Sequence, residues 1–228
     1  MSDYKQQAAR AAAECIQPGN TVGIGAGSSM LHLIDWLKDN PDLSRSLTTV
    51  SSSFVTRQRL LDEGFALVRS EWITRVDLYF DGCDQFDHRL NALKSGGGIH
   101  TSEKILAAMA DQFILVGDIT KRVSRLDGTF PLVIEVVPEA LAFIIHRLKK
   151  YFNPARADLR SGDKKDGPVI TERGNYLVDC WFDPFPEPAM LNERIRGIPG
   201  ILEHSLFYNM AHRAITAGPE GIQIFGRT

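Results

Sequence analysis

Short apolar runs alternate with longer stretches of helical spacing along the first half of this 228-residue chain. Thr21–Ile24, Leu47–Val50, Ala66–Val68, Val76–Phe80 and Phe113–Val116 are brief apolar segments ended by glycine, serine, arginine or aspartate, as buried strands are. Between them, residues 2–16, Met30–Lys38, Phe54–Glu63 and Ser102–Asp111 read as helices. Ser2 predicts the first N-cap and Pro18-Gly19-Asn20 its stop; Pro41 closes the second helix and Gly64 the third. The alternation of short apolar strands with helices predicts a parallel, doubly wound sheet, with ligands at the carboxyl ends of its strands.

The pattern changes near Asp127-Gly128. Leu132–Val136 reads as a strand, Glu139–Tyr151 as a helix, and Pro154–Gly167 as a polar loop. Val169–Thr171 and Tyr176–Trp181 flank Glu172-Arg173-Gly174-Asn175 as a hairpin, Pro188–Ile195 is helical, and Ile201–Phe207 extends after Pro199-Gly200. That β-α-β-β-α-β order predicts a ferredoxin-like unit. Ala214–Ala217 and Ile222–Phe225 would return to the first sheet. The expected fold is therefore α/β: a Rossmann-like doubly wound domain from residues 1–128 and 208–228, with a smaller ferredoxin-like α+β domain at 129–207.

Composition narrows the function classes. A hydrophobic content of 43% and a charged content of 24% suit a soluble globular protein, and a net charge of -2 leaves no footprint for nucleic acid or acidic lipid. Cys15, Cys83 and Cys180 are too few and too scattered for a disulfide framework or a CxxC site. The N-terminus lacks the long apolar core of a secretory signal and no apolar run approaches membrane-spanning length, so the cytoplasm is the expected location.

The candidate chemistry gathers in Val76–Ala107. Asp81-Gly82-Cys83-Asp84 places two carboxylates on a turn after a strand; the extended segment Leu90–Leu93 leads to Lys94, Ser95 and the glycines Gly96-Gly97-Gly98; Glu103 falls in the first turn of the next helix. Taken singly, these are a turn signal, a solvated lysine and ordinary capping chemistry. Together they can bind a polyol, move a proton and stabilise an oxyanion. Upstream, Gly25-Ala26-Gly27-Ser28-Ser29 joins a strand to a helix and offers N–H groups to an anion. No GK[ST] follows it, and Met30 stands where a dinucleotide fingerprint has its third glycine, so a small phosphate site or a ligand-free turn remains. Ser51–Ser53 and Asp118–Lys121 also fall at strand ends and would converge on the same place.

These motifs resemble those of the A-type ribose-5-phosphate isomerases, which usually read D-G-A-D-E, K-G-G-G and R-E-K over this stretch. The resemblance runs from Val22 to Phe207 and implies an aldose–ketose isomerase interconverting D-ribose 5-phosphate and D-ribulose 5-phosphate, with no cofactor or metal and a homodimer or homotetramer as its assembly. It also implies site residues: Glu103 as proton acceptor; Ala26, Gly27, Ser28 and Ser29, Asp81, Gly82, Cys83 and Asp84, and Lys94, Ser95, Gly96 and Gly97 around the substrate; Lys121 near the phosphate. Moving a sugar carbonyl by hydride shift needs clustered metal ligands, whereas His32, His88, His100, His146, His204 and His212 are dispersed, with only His100 near the site. An enediolate route needs a base and an oxyanion stabiliser. Glu103, held ionised by its helix start, suits the first; Lys94 with the N–H groups near Ser95–Gly97 suits the second; Asp81 and Asp84 would bind hydroxyls and assist ring opening. The chain departs from the family pattern at Ala26, Ser29, Gln85, Ser95 and Ser102, which leaves open a related isomerase acting on another phosphosugar. A sugar-phosphate sensor is the non-enzyme alternative, although no helix-turn-helix extension or basic arm accompanies it.

Overall fold

The computed structural model describes residues 3–162 and 166–227. Helix α1 (Tyr4–Ala13) buries Ala8, Ala9, Ala12 and Ala13, whose small side chains let it lie close against the main sheet. Its cap is Asp3, which accepts from the Lys5 and Gln6 N–H groups; Ser2 lies outside the described residues. The chain then runs through β1 (Thr21–Ile24), α2 (Ser28–Lys38), the single turn α3 (Pro41–Ser44), β2 (Thr48–Val50), α4 (Phe54–Asp62) and β3 (Val76–Asp81). Two short strands, β4 (Gln85–Phe86) and β5 (Ala92–Leu93), precede α5 (His100–Met109), which passes directly into β6 (Ala110–Asp118). β7 (Leu132–Val136), α6 (Leu141–Phe152), β8 (Arg156–Leu159), β9 (Tyr176–Trp181), α7 (Pro188–Arg196) and β10 (Ile201–His204) form the second unit. β11 (Leu206–Phe207), β12 (Arg213–Gly218) and β13 (Gly221–Gly226) complete the chain.

The main sheet has the order β13-β12-β6-β3-β1-β2, parallel except for the edge strand β13, which pairs antiparallel with β12. The small sheet, β10-β7-β9-β8, is antiparallel throughout, so its strands follow the ferredoxin order of fourth, first, third, second. A third sheet, β11-β5-β4, was not legible in the sequence. It lies between the other two: Leu93 and Leu206 pack into the core of the small sheet, while Phe86, Ala92 and Phe207 pack into that of the main one. Both cores therefore grip the strand that delivers Lys94.

Several elements differ from expectation. Ala66–Val68 is no strand; only Leu67 bridges Thr49 at the edge of the three-residue β2. Leu90 is not extended but has φ 62, because Asp87 collects the Arg89 and Asn91 N–H groups and turns the chain. The partner of β9 is β8, inside the stretch read as a loop, and Val169–Thr171 supplies only a bridge from Ile170 to Tyr176; residues 163–165 of that stretch lie outside the described residues. Ile201–Phe207 divides at Ser205, whose backbone joins Val133 on one side and Lys94 on the other. Helices α2 and α5 each begin two residues earlier than expected, and α5 also ends two residues short, where β6 takes over.

Candidate active site

A cavity of about 340 Å³ opens at the carboxyl ends of the main-sheet strands. Of the expected residues, Ala26, Gly27, Ser28, Ser29, Gly82, Cys83, Asp84, Lys94, Gly96, Gly97, Glu103 and Lys121 line it. Asp81 is fully buried and acts on the cavity through its neighbours. Ser95 turns its hydroxyl away to donate to the Pro131 carbonyl at 2.6 Å. Lys5 also lines the cavity and carried no signal in the sequence; only the packing of α1 on the sheet brings it there. Ser51–Ser53 do not join them. Ser51 accepts from the Ser53 N–H, Ser53 caps α4 at Thr56, and Ser51 and Ser52 line a different cavity.

The turn after β1 is shaped by Asp81. A Cβ at Gly25 would lie 2.0 Å from the Asp81 carboxyl carbon, so only glycine fits. Oδ1 of Asp81 accepts from the N–H groups of Ala26 (3.1 Å) and Gly82 (2.8 Å); Oδ2 takes the Tyr79 hydroxyl and, at 3.0 Å, the Lys94 ammonium. Thr56 fixes the turn from behind by donating to the Gly25 carbonyl at 2.7 Å. Gly27 has φ 97, which re-aims the chain into α2. The first-turn N–H groups of α2 at Ser28 and Ser29 then point out of the helix start, a ready anion site.

Lys94 is buried between carboxylates. Its ammonium lies 3.0 Å from Asp81, 3.2 Å from Glu103 and 2.6 Å from the Gly82 carbonyl. Burial works against its charge, but the two carboxylates outweigh burial and raise its pKa. Glu103 is 5% exposed. Burial pushes its carboxyl up to about 8, Lys94 pulls the other way, and Asp81 adds to the rise. The expectation that the helix start keeps Glu103 ionised is thus overturned by desolvation. Burial pushes the Cys83 thiol, which also lines the cavity, up to about 12.

The glycine loop is oriented from outside. Arg160 donates to the carbonyls of Ser95 (2.8 Å) and Gly96 (2.9 Å) while its guanidinium grips both oxygens of Asp179. Across a trans peptide the N–H points opposite the carbonyl. Anchoring these two carbonyls on Arg160 therefore turns the N–H groups of Gly96 and Gly97 the other way, toward the cavity that both residues line. Asp84, on the same wall, accepts from the Ser95 N–H.

His100 does not reach the cavity. It is fully buried with Nε2 at 3.3 Å from the Glu203 carbonyl, and burial lowers its pKa to about 4. Gln85 brackets Asp127, donating to its carboxylate and accepting from its N–H, and Ser102 lines the other cavity. Among the described residues no group of three or more His, Cys, Asp or Glu side chains is placed to hold a metal ion, and no helix is long and apolar enough to cross a membrane.

These features define a doubly wound α/β protein in which a buried acid–lysine–acid cluster and a helix start share one cavity. Comparison with known proteins is specific. The family model for ribose 5-phosphate isomerase A (phosphoriboisomerase A) matches residues 48–221. A ribose-5-phosphate isomerase A of Thermosynechococcus vestitus is 40% identical over 92% of this chain and 89% of its own. One from Synechococcus is 36% identical over 98% of this chain and 97% of its own. Among solved structures, ribose 5-phosphate isomerase A of Methanocaldococcus jannaschii superposes with a TM-score of 0.90 at 30% identity, covering 97% of each chain. A D-ribose-5-phosphate isomerase in complex with phospho-erythronic acid gives 0.91 at 31% identity, covering 98% of this chain and 97% of that one. The chain belongs to the ribose 5-phosphate isomerase A family.

Proposed function

We propose that this protein interconverts D-ribose 5-phosphate and D-ribulose 5-phosphate through an enediolate. The observation that carries the reading is the Lys94 ammonium set between the Asp81 and Glu103 carboxylates, beside a loop whose N–H groups face the cavity. The phosphate sits at the start of α2 with Ser28 and Ser29, where Lys121 and Lys5 add positive charge. Asp84 binds a sugar hydroxyl. Glu103 as carboxylate takes the proton from C2 of the open-chain aldose and returns it to C1, while the hydroxyl proton passes from O2 to O1 by way of Asp84. The negative charge that develops on the oxygens meets the N–H groups of Gly96 and Gly97 and the field of Lys94. A divalent ion between Asp81 and Glu103 would have to occupy the place that the Lys94 ammonium fills. A cytoplasmic homodimer or homotetramer belongs to the same reading, and light scattering measures the assembly.

Three measurements test this. In deuterated water, the product at early conversion carries deuterium on the carbon that receives the proton, and exhaustive chelation leaves activity undiminished. Full retention of the substrate hydrogen together with loss of activity on chelation, restored by a divalent metal, replaces the enediolate with a hydride shift. Secondly, a panel of aldose phosphates ranks ribose 5-phosphate first, and unphosphorylated ribose falls by about 10²-fold or more in kcat/KM, because binding energy from the phosphate is used at the reacting carbon. Equal rates on ribose and its phosphate remove the anion site. Thirdly, burial holds Glu103 protonated below pH about 8 and base catalysis needs the carboxylate, so kcat/KM climbs with unit slope on the acid side and levels above that point. A flat profile from pH about 6 to 9 means that the base is already ionised throughout that range, and the Glu103→Gln variant then decides whether Glu103 is that base.

A further inference from the structure

Tyr79 is buried and takes no part in the proposed reaction. Its ring stacks on Phe113 with centroids 5.2 Å apart, and the neighbouring strand makes room for it: a Cβ at Gly23 would lie 2.6 Å from the ring. A phenol has one hydrogen, and here it goes to Oδ2 of Asp81. The contact of 3.3 Å between the Tyr79 hydroxyl and Ser52 Oγ therefore has Ser52 as donor. The result is a directed chain, Ser52 to Tyr79 to Asp81, in which each hydrogen bond polarises the next.

Counting donors exposes an asymmetry in the cluster. Asp81 accepts from four groups, the N–H of Ala26, the N–H of Gly82, Tyr79 and Lys94. Glu103 has the Lys94 ammonium. Hydrogen bonds to an ionised carboxylate favour that form, so a proton shared by the pair settles on Glu103. We propose that Tyr79, braced by Ser52, is a positioning residue that holds Asp81 as acceptor for Lys94 and keeps the shared proton on Glu103. Besides Tyr79, the titratable groups around Asp81 are Lys94 at the end of β5, Glu103 on α5, Cys83 on the adjoining turn, and Asp84 and Lys121 along the cavity. The proposal rests on Glu103 being the base of the proposed reaction.

Tyr79→Phe removes one oxygen from a packed ring and leaves Asp81 a stronger competitor for the proton. The cluster then holds that proton more tightly, and the working form needs both carboxylates free. The acid limb of kcat/KM moves up by at most about 0.5–1 pH unit, the scale of one lost hydrogen bond, because the change acts on Asp81 while the proton starts on Glu103. Activity is then lower on the acid side by up to about 3–10-fold, with KM and the high-pH plateau within about threefold of the unaltered protein. Ser52→Ala, which weakens the phenol as a donor without touching Asp81, gives a smaller move in the same direction. An NMR titration of labelled carboxyl carbons in the free protein reads the same event without substrate: in Tyr79→Phe, the Glu103 carboxyl loses its proton at higher pH. An acid limb unmoved in both variants, or a loss uniform across pH that tracks a fall in Tm, assigns Tyr79 to packing alone and overturns the proposal. If ribose 5-phosphate is not turned over at all, the reading of the reaction fails, and the carboxyl titration still decides where the proton sits.

Discussion

Glu103→Gln lowers turnover by about 10²–10⁴-fold, the range for loss of a general base, while the fold and the binding of an unreactive substrate analogue persist. The amide has the shape of the carboxyl, and its oxygen still accepts from Lys94, which keeps its contacts to Asp81 and the Gly82 carbonyl. What disappears is a carboxylate on the cavity wall within 3.2 Å of the Lys94 ammonium. The same variant changes stability in a defined direction. The fold raises the Glu103 pKa from 4.5 to about 8, so its ionised form is penalised in the native state. That cost is absent below pH about 4.5, grows as pH rises to about 8 and is constant above. Glu103→Gln therefore gains stability relative to the unaltered protein across that window, read as a widening difference in Tm. A variant that keeps most of its kcat places the base elsewhere.

Lys94→Ala is the more damaging change, because it strikes stability and chemistry together. Removing one partner of a buried ion pair typically costs about 3–5 kcal/mol, since the remaining charge is stranded. Here two carboxylates, Asp81 fully buried and Glu103 nearly so, lose their shared counter-charge. One of them must hold a proton, so the destabilisation is greatest at alkaline pH and shrinks as pH falls. Turnover drops by about 10²–10³-fold through loss of charge stabilisation at the enediolate oxygens. Denaturant unfolding at two pH values measures the first effect and steady-state kinetics the second. A change confined to KM makes Lys94 a binding group only.

The parallel core was plain in the sequence because its strands are largely buried on both faces, so Val22–Ile24 and Leu78–Phe80 read as unbroken apolar runs. β8 escaped notice because it is an edge strand, Arg156-Ala157-Asp158-Leu159, in which only Ala157 is buried. The third sheet has two-residue strands from distant parts of the chain, too short for any periodicity. Within the site, Asp84, Lys94 and Glu103 were legible because one turn, one strand end and one helix start follow each other closely. Lys5 was not, since its place depends on where α1 docks, and Tyr79 reads as an ordinary core aromatic until its hydroxyl is traced to Asp81. The ionisation of Glu103 was misjudged because a helix start is visible in sequence and burial is not.

The grip of Arg160 on the Ser95 and Gly96 carbonyls means that the direction of the glycine-loop dipoles is a property of tertiary structure. Their direction is inherited from the packing of β8 on β9, where Asp179 holds the guanidinium. A peptide of residues 76–107 would carry Glu103, Lys94 and both aspartates in one piece, yet its glycine amides would point everywhere at once.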